Sequence, residues 1–199
     1  MATTRENKTI SQFKSALIGG GARPNLFVVE MTLNELGFDL PTFDSDKFQF
    51  MCKAAALPAQ NITSIDVPFR GRTFKVAGDR TIDTWTVTVI NDEDFILRRA
   101  FEEWSNQIAS LDLNLGATDP SAYMATARVF QLGRGSTPNS RDNTGNANSV
   151  LAEYEFIDIF PTNVSQIDLS YDSSDTIEEF TVEFQVQSFN IVGAGGPNG

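Results

Sequence analysis

Alternating apolar and polar positions predict a chain built mainly from β-strands. The clearest alternation runs from Phe180 to Gln187, where phenylalanine or valine occupies every second position. Because a strand directs successive side chains to opposite faces of its sheet, this segment predicts one buried face and one polar face. Apolar runs of the same kind predict strands at residues 26–33, 48–53, 62–69, 73–76, 85–90, 123–132, 150–160, 166–171 and 177–191.

Two of these strands are joined by a short turn. Arg70-Gly71-Arg72 separates residues 62–69 from residues 73–76. Glycine accepts the positive φ angles that short hairpin turns require. The spacing therefore predicts a β-hairpin with a basic tip.

One segment has convincing helical periodicity. It begins after Asn91 and Asp92, either of which is suited to cap the first turn, while Glu93 and Asp94 suit its positive end. Five large apolar residues recur at a spacing that places them on one helical face, namely Leu97, Phe101, Trp104, Ile108 and Leu111. The pattern predicts one amphipathic helix packed on a sheet, in a mainly β (α+β) fold.

The two ends differ in composition from the middle of the chain. Residues 1–21 are polar and finish in three glycines, and residues 193–199 are nearly all Gly, Pro and Asn, which predicts flexible segments. The 199 residues suit one domain. We expect a flexible N-terminal arm at 1–21, a single β domain at 22–192 with loop excursions at 34–47 and 133–149, and a flexible C-terminal tail at 193–199.

Charge and composition exclude several classes of function. The 15 basic and 26 acidic residues give a net charge of −11, whereas proteins that read nucleic-acid sequence present clusters of Lys and Arg to phosphate. The absence of histidine removes the Ser-His-Asp, Cys-His and His-metal chemistries. Without a long apolar run, we expect no signal peptide, no membrane span and synthesis as a soluble protein in a cytoplasm.

The remaining candidates for chemistry have simpler structural explanations. The run Asp92-Glu93-Asp94 resembles a carboxylate metal or acid–base site, but helix capping explains it better. The single cysteine, Cys52, has Lys53 beside it as in an activated thiol, yet a buried strand cysteine is the stronger interpretation. A cluster of four acids lacks calcium-loop spacing and reads as a solvated turn: Asp172, Asp175, Glu178 and Glu179. We therefore predict no catalytic residue, no metal site and no cofactor.

Five ordered blocks of residues are distinctive in this sequence. The blocks are ARPNLF at 22–27, FMCKA at 50–54 with LPA at 57–59, VAGDRT at 76–81, WTVTVINDE at 85–93, and PTNV at 161–164 with FTV at 180–182. They resemble segments of the tail tube proteins of T4-type bacteriophages, which have contractile tails. The blocks follow the order of that family and span most of residues 22–187.

The resemblance implies a structural virion protein. Six copies would close a ring, rings would stack into the inner tube of the tail, and viral DNA would pass through the lumen into the host without specific binding. The implied partners are further copies of the chain and the tail sheath, baseplate and tail terminator proteins, with no membrane insertion and with assembly in the host bacterial cytoplasm. The implied fold is a barrel-like pair of packed antiparallel sheets with one flanking helix, similar to type VI secretion tubes. A type VI-like secreted ring, a tube-like baseplate component and a carboxylate-dependent hydrolase are the alternatives.

Two groups of residues are candidates for roles in such a tube. A basic hairpin on an acidic protein is complementary to the rest of its own surface, which predicts a contact between subunits or rings. This candidate interface consists of Arg70, Gly71, Arg72, Gly78, Asp79 and Arg80. A hydrophilic strand face without a cation suits a lumen that repels phosphate, and its candidates are Thr181, Glu183, Gln185 and Gln187.

Overall fold

A computed structural model of the chain describes residues 9–17, 21–33, 36–37, 40, 43–113, 115–133 and 150–192. The helices are α1 (Ile10–Ala16), α2 (Ser45–Met51) and α3 (Ile96–Ile108), with a 3-10 turn at Pro120–Ala122. The strands are β1 (Phe27–Thr32), β2 (Cys52–Ala55), β3 (Gln60–Phe69), β4 (Arg72–Ile82), β5 (Trp85–Ile90), β6 (Ala125–Leu132), β7 (Val150–Val164) and β8 (Glu179–Val192).

The strands form two sheets. Six of them are hydrogen-bonded in the order β1-β6-β7-β8-β5-β2, and β3 pairs only with β4 in a separate two-stranded sheet. The pairs β2–β5, β5–β8 and β3–β4 are antiparallel. The predicted mainly β fold and the predicted hairpin are therefore both present.

The chain divides into two compact units. The first comprises the described residues within 1–28, 130–153 and 192–199, and the second comprises those within 29–129 and 154–191. Within the first unit, the amide of Leu132 donates to the carbonyl oxygen of Leu26 at 2.9 Å, and the Gln131 side chain donates to the same oxygen. The hydrophobic residues that are buried in the described chain all lie in the second unit.

Aromatic residues from β5, β8 and α3 form the centre of this core. Antiparallel pairing places Trp85 opposite Phe184 and Val89 opposite Phe180, so that the apolar faces of the two strands coincide. Phe101 on α3 packs against both phenylalanines, with ring centroids 6.2 Å from Phe180 and 5.9 Å from Phe184. The apolar face of β8 and the apolar face of α3 thus pack against each other in one buried cluster.

The beginning of α3 differs from the prediction. Its N-cap position is Phe95, in a left-handed conformation (φ 56°), so neither Asn91 nor Asp92 caps the helix. Asp94 supplies the acceptor instead, since its Oδ1 accepts from the amide of Ile96 at 3.1 Å. At the other end the helix stops at Ile108, which leaves Leu111 outside the predicted apolar face and 91% exposed.

The strand prediction at residues 48–53 is wrong for most of its length. Those residues belong to α2 as far as Met51, and β2 begins only at Cys52. Asp44 caps this helix by accepting from the Lys47 amide, and Phe48 is buried against Phe101. A run of six residues is too short for periodicity to distinguish a helix from a strand.

Residues 166–171 also form no strand, because β7 ends at Val164 and the chain then continues outside both sheets until β8. A further difference is that α1 and α2 accompany the single predicted helix. The helix α1 lies inside the predicted flexible arm, most of whose other residues are outside the described chain, as are 134–149 of the predicted loop and the tail at 193–199. The single domain at 22–192 stays a prediction.

Candidate assembly surface

The β3–β4 hairpin contains every residue of the predicted interface. Its strands are joined by Arg70 and Gly71, which both have positive φ angles, of 46° and 79°. Two positive φ angles define the two-residue turn whose twist matches that of a hairpin. Phe69 and Arg72 are therefore directly opposite each other at the tip.

A β-bulge interrupts the hairpin at the second part of the predicted interface. Gly78 and Asp79 lie opposite the single residue Thr63, whose hydroxyl donates to the carbonyl oxygen of Asp79 at 3.1 Å. A Cβ on residue 78 would lie 2.7 Å from the Thr63 hydroxyl oxygen. Any larger residue at position 78 would force the Thr63 side chain to move, so the bulge favours glycine.

The hairpin has one apolar face. Residues directly opposite each other in an antiparallel pair share a face, and the pairs Ile65–Val76, Val67–Phe74 and Phe69–Arg72 alternate with polar pairs such as Asp66–Lys75. The apolar side chains are exposed, from 42% for Val76 to 67% for Phe74. A two-stranded hairpin is at best marginally stable in water, and an exposed apolar patch of this kind marks an interaction surface.

The basic residues of the hairpin have different surroundings. Lys75 forms an ion pair with Asp66 at 2.7 Å, and the Arg80 guanidinium lies 5.8 Å from the centre of the Phe189 ring. Arg70 and Arg72, at the tip, have no carboxylate partner in the part of the chain that the structure describes. The tip is therefore both positively charged and bordered by apolar side chains.

The four candidate lumen residues share one face of β8. Thr181, Glu183 and Gln185 are half-buried and Gln187 is exposed, while the alternate residues from Phe180 to Val186 are buried. The pairing of β5 with β8 extends this polar face, because Thr86 lies opposite Glu183. The face lacks a cation at the four predicted positions but is not free of cations as a whole.

Two ion pairs accompany that polar face. Lys53 contacts Glu179 at 2.5 Å, and Glu179 has the same strand parity as Thr181. Arg128 on β6 contacts Glu155 on β7 at 2.8 Å. Each cation is matched by a carboxylate, so the pairs add no net positive charge to the face.

The other candidate sites have structural roles. Asp92 and Asp94 both form ion pairs with Lys47 on α2, whose ammonium group lowers the pKa of each carboxyl and has its own pKa raised in return. Burial raises the pKa of the Cys52 thiol to about 12, so this cysteine is not an activated thiolate.

A groove between α3 and the end of β7 has a volume of about 560 Å³. Of the described residues that line it, Glu102 is the one carboxylate, and it is paired with Arg98 at 2.6 Å. Among the described residues, no group of three or more Cys, Asp or Glu side chains is arranged to hold a metal ion. The described helices include none long and apolar enough to cross a membrane.

Comparison with known proteins decides the family. The model for the family described as phage tail tube protein matches residues 22–192. The chain is also 37% identical over 164 residues to tail tube protein gp19 of Enterobacteria phage T4, covering 82% of this chain and 88% of that protein. The chain belongs to the phage tail tube protein family. The resemblance drawn from the five sequence blocks is thus confirmed, and the family is structural rather than enzymatic, which excludes the hydrolase alternative.

Other similarities agree with this family. Tail tube protein gp19 of Enterobacteria phage T6 matches with the same identity and coverage. The tube-terminating cap of the anti-feeding prophage has a similar fold, with a TM-score of 0.58 and 17% identity over 98% of this chain and all of that one. The predicted fold class, a mainly β fold of the tail-tube type with a flanking amphipathic helix, is confirmed.

Sequence reasoning missed the apolar face of the hairpin. It identified the charges at the tip but not the alternation of Ile65, Val67 and Phe69, which predicts one apolar face along β3. It also missed Lys47, whose two carboxylate partners lie more than forty residues away in sequence. The first signal is visible in the sequence, whereas the second requires the tertiary structure.

Proposed function

We propose that six copies of this tail tube protein close into a ring, and that rings stack into the inner tube of a contractile phage tail through which viral DNA passes. The ring and the stack both use heterologous contacts, in which one surface of a subunit meets a different surface of the next. The relatives of this chain are named as tail tube proteins, which supports a tube over a baseplate or secreted ring.

The exposed hairpin is the observation that carries the proposal. Five large apolar side chains on one face of a two-stranded sheet are 42–67% exposed in the isolated chain: Ile65, Val67, Phe69, Phe74 and Val76. Burying apolar surface contributes roughly 25 cal/mol per Å², so contact with another copy stabilises both the hairpin and the assembly. Arg70, Gly71, Arg72, Gly78, Asp79 and Arg80 belong to this proposed interface.

The charge of the chain suits a conduit for DNA. A net charge of −11 per subunit repels phosphate, whereas each Lys or Arg contact would retain the DNA in a salt-dependent way. The polar β8 face, with Thr181, Glu183, Gln185 and Gln187, is the face we assign to the lumen. The paired cations Lys53 and Arg128 do not reverse the sign of this surface.

The proposed partners follow from a tube inside a contractile tail. They are further copies of the chain, the tail sheath around the tube, the baseplate at one end and the tail terminator at the other. Assembly would take place in the cytoplasm of the host bacterium, with the finished tube in the virion.

Electron microscopy and native mass spectrometry of the full chain test the proposal. We expect six-membered rings or longer tubes as protein concentration increases. Arg72→Glu should impair assembly while the subunit stays folded, and Arg99→Glu, which reverses an exposed charge on α3, is the matched control. A chain that stays monomeric at every concentration and salt condition would contradict the proposal.

A further inference from the structure

An acidic segment of the chain matches the hairpin in chemistry. Residues 165–178 connect β7 to β8 and contain no Lys or Arg. With the first residue of β8 they carry five carboxylates, namely Asp168, Asp172, Asp175, Glu178 and Glu179. Large apolar side chains lie exposed among these acids, with Leu169 at 80%, Ile177 at 72% and Tyr171 fully exposed.

Both ends of this acidic segment are fixed to the sheet and helix beneath it. At its start, the Ser165 amide donates to the Thr181 carbonyl oxygen at 2.8 Å, and Arg98 donates to the Ser165 carbonyl oxygen at 2.7 Å. At its end, the Asn91 side-chain amide donates to Glu178 Oε2 at 2.9 Å. Glu178 and Glu179 are already engaged at this end, by Asn91 and Lys53. The segment is therefore a projection with a defined base, and the acids exposed between its fixed ends are Asp168, Asp172 and Asp175.

We infer that the acidic segment of one copy covers the apolar face of the hairpin of another copy. The hairpin carries four cations and two carboxylates over residues 60–82, so its charge is opposite to that of the segment. Arg70 and Arg72 lack a carboxylate partner among the described residues, and the segment supplies carboxylates next to apolar side chains. In the described chain the hairpin has arginines without carboxylate partners, the acidic segment has carboxylates, and both have exposed apolar side chains. Such complementarity of charge selects the partner and fixes the register at an interface.

The contact must join two copies rather than two parts of one. In the single chain both surfaces are exposed, which excludes that they cover each other. Because the two surfaces differ, each subunit can use its hairpin on one neighbour and its acidic segment on another, and such a head-to-tail contact propagates around a ring or along a stack. This inference rests on the proposed tube and names the partner of its hairpin.

A charge exchange tests the contact. Asp172→Arg/Asp175→Arg should raise the protein concentration required for assembly about tenfold, as should Arg70→Glu/Arg72→Glu. The quadruple variant, which exchanges the two signs within one chain, should recover assembly to within about threefold of the wild type. The matched control is Glu103→Arg on α3, which should leave the assembly concentration unchanged.

Cross-linking gives a second and independent readout. A chain carrying Arg72→Cys and Tyr171→Cys should form covalent ladders of subunits on oxidation of preformed assemblies. A chain with Arg72→Cys and Glu103→Cys should not, and the native Cys52 is buried and does not compete.

The outcomes separate the two proposals. If the wild type forms no rings or tubes, the proposed function itself fails. If it does form them, but the exchange restores nothing and no ladder appears, the hairpin has another partner. A hairpin that becomes covered only on addition of a sheath protein would likewise overturn the inference and leave the tube intact.

Discussion

Asn91 holds Glu178 through two hydrogen bonds. The backbone amide of Asn91 donates to the carbonyl oxygen of Glu178, and its side-chain amide donates to Oε2, both at 2.9 Å. Asn91 is the one buried polar residue in the described chain, and it follows directly after β5. A residue predicted to cap α3 therefore anchors the end of the acidic segment instead.

Replacing Asn91 tests that anchor. Asn91→Ala should lower the free energy of unfolding by about 1–2 kcal/mol, because it removes a buried hydrogen bond to a charged group. Asn106→Ala, at an exposed position of α3, should be neutral or slightly stabilising because alanine favours helix. Urea unfolding of the three proteins gives the comparison, and equal stability of all three would contradict the anchoring role.

The hairpin turn depends on Gly71. A Cβ at this position would contact nothing within 4 Å, so any cost of Gly71→Ala comes from the φ angle of 79° alone. We expect a penalty of about 1 kcal/mol, and therefore roughly fivefold faster hydrogen exchange of the hairpin amides. Amides of β5 should keep their protection. Unchanged exchange in the hairpin would show that its turn is not the one described.

Lys47 makes stability depend on pH in the acid range. Because it lowers the folded pKa of Asp92 and Asp94, its ion pairs contribute fully above their unfolded pKa of about 3.9 and are lost as pH falls through the folded values. Lys47→Met should therefore destabilise the chain at pH 7, and the difference from wild type should shrink below about pH 4.

Urea midpoints between pH 7 and pH 3 measure this difference. Lys75→Met, which removes an exposed pair with Asp66, is the control and should change the midpoint little at any pH. If the difference in urea midpoint between wild type and Lys47→Met stays constant down to pH 3, the ion pairs of Lys47 with Asp92 and Asp94 are not the source of that difference.

Replacing either tryptophan with phenylalanine should lower stability, but by unequal amounts. Both are fully buried, but Trp104 donates its indole N–H to the Tyr123 carbonyl oxygen at 2.9 Å, whereas the Trp85 indole N–H has no acceptor among the residues described. Trp104→Phe should lower the free energy of unfolding by about 1 kcal/mol more than Trp85→Phe does. Only the Trp104 substitution leaves an acceptor, the Tyr123 carbonyl oxygen, without its donor. Equal losses in thermal or urea unfolding would remove this distinction.

Assembled tubes should not bind duplex DNA. In an electrophoretic assay at about 50 mM salt, where attraction to phosphate is strong, we expect no shift from wild-type tubes. Gln185→Lys, on the polar face assigned to the lumen, should introduce salt-sensitive retention of DNA that enters the tube. Asn106→Lys adds the same charge to α3 and should not. Tight binding by the wild type would refute a repulsive lumen.

The sequence alone determined the features that depend on local pattern. The alternation over β5 and β8 fixes which face of each strand is buried, because the side-chain period of a strand is two whatever its neighbours are. Likewise, Leu97, Phe101 and Trp104 share a helical face by spacing, and glycine at residue 71 marks the turn. The ordered blocks of residues indicated the phage tail tube family, and the family model and the relatives confirm it.

Tertiary structure decided the features that depend on distant partners. Residues 48–51 are helical because Asp44 caps the helix and Phe48 packs against Phe101. A short alternating run of residues reveals neither contact. The Asn91 side chain bonds Glu178, a residue far along the chain, instead of capping α3 as predicted. The exposure of the hairpin is a feature of the same kind. A period of two identifies its apolar face, but only the folded chain shows that the side chains of this face stay exposed.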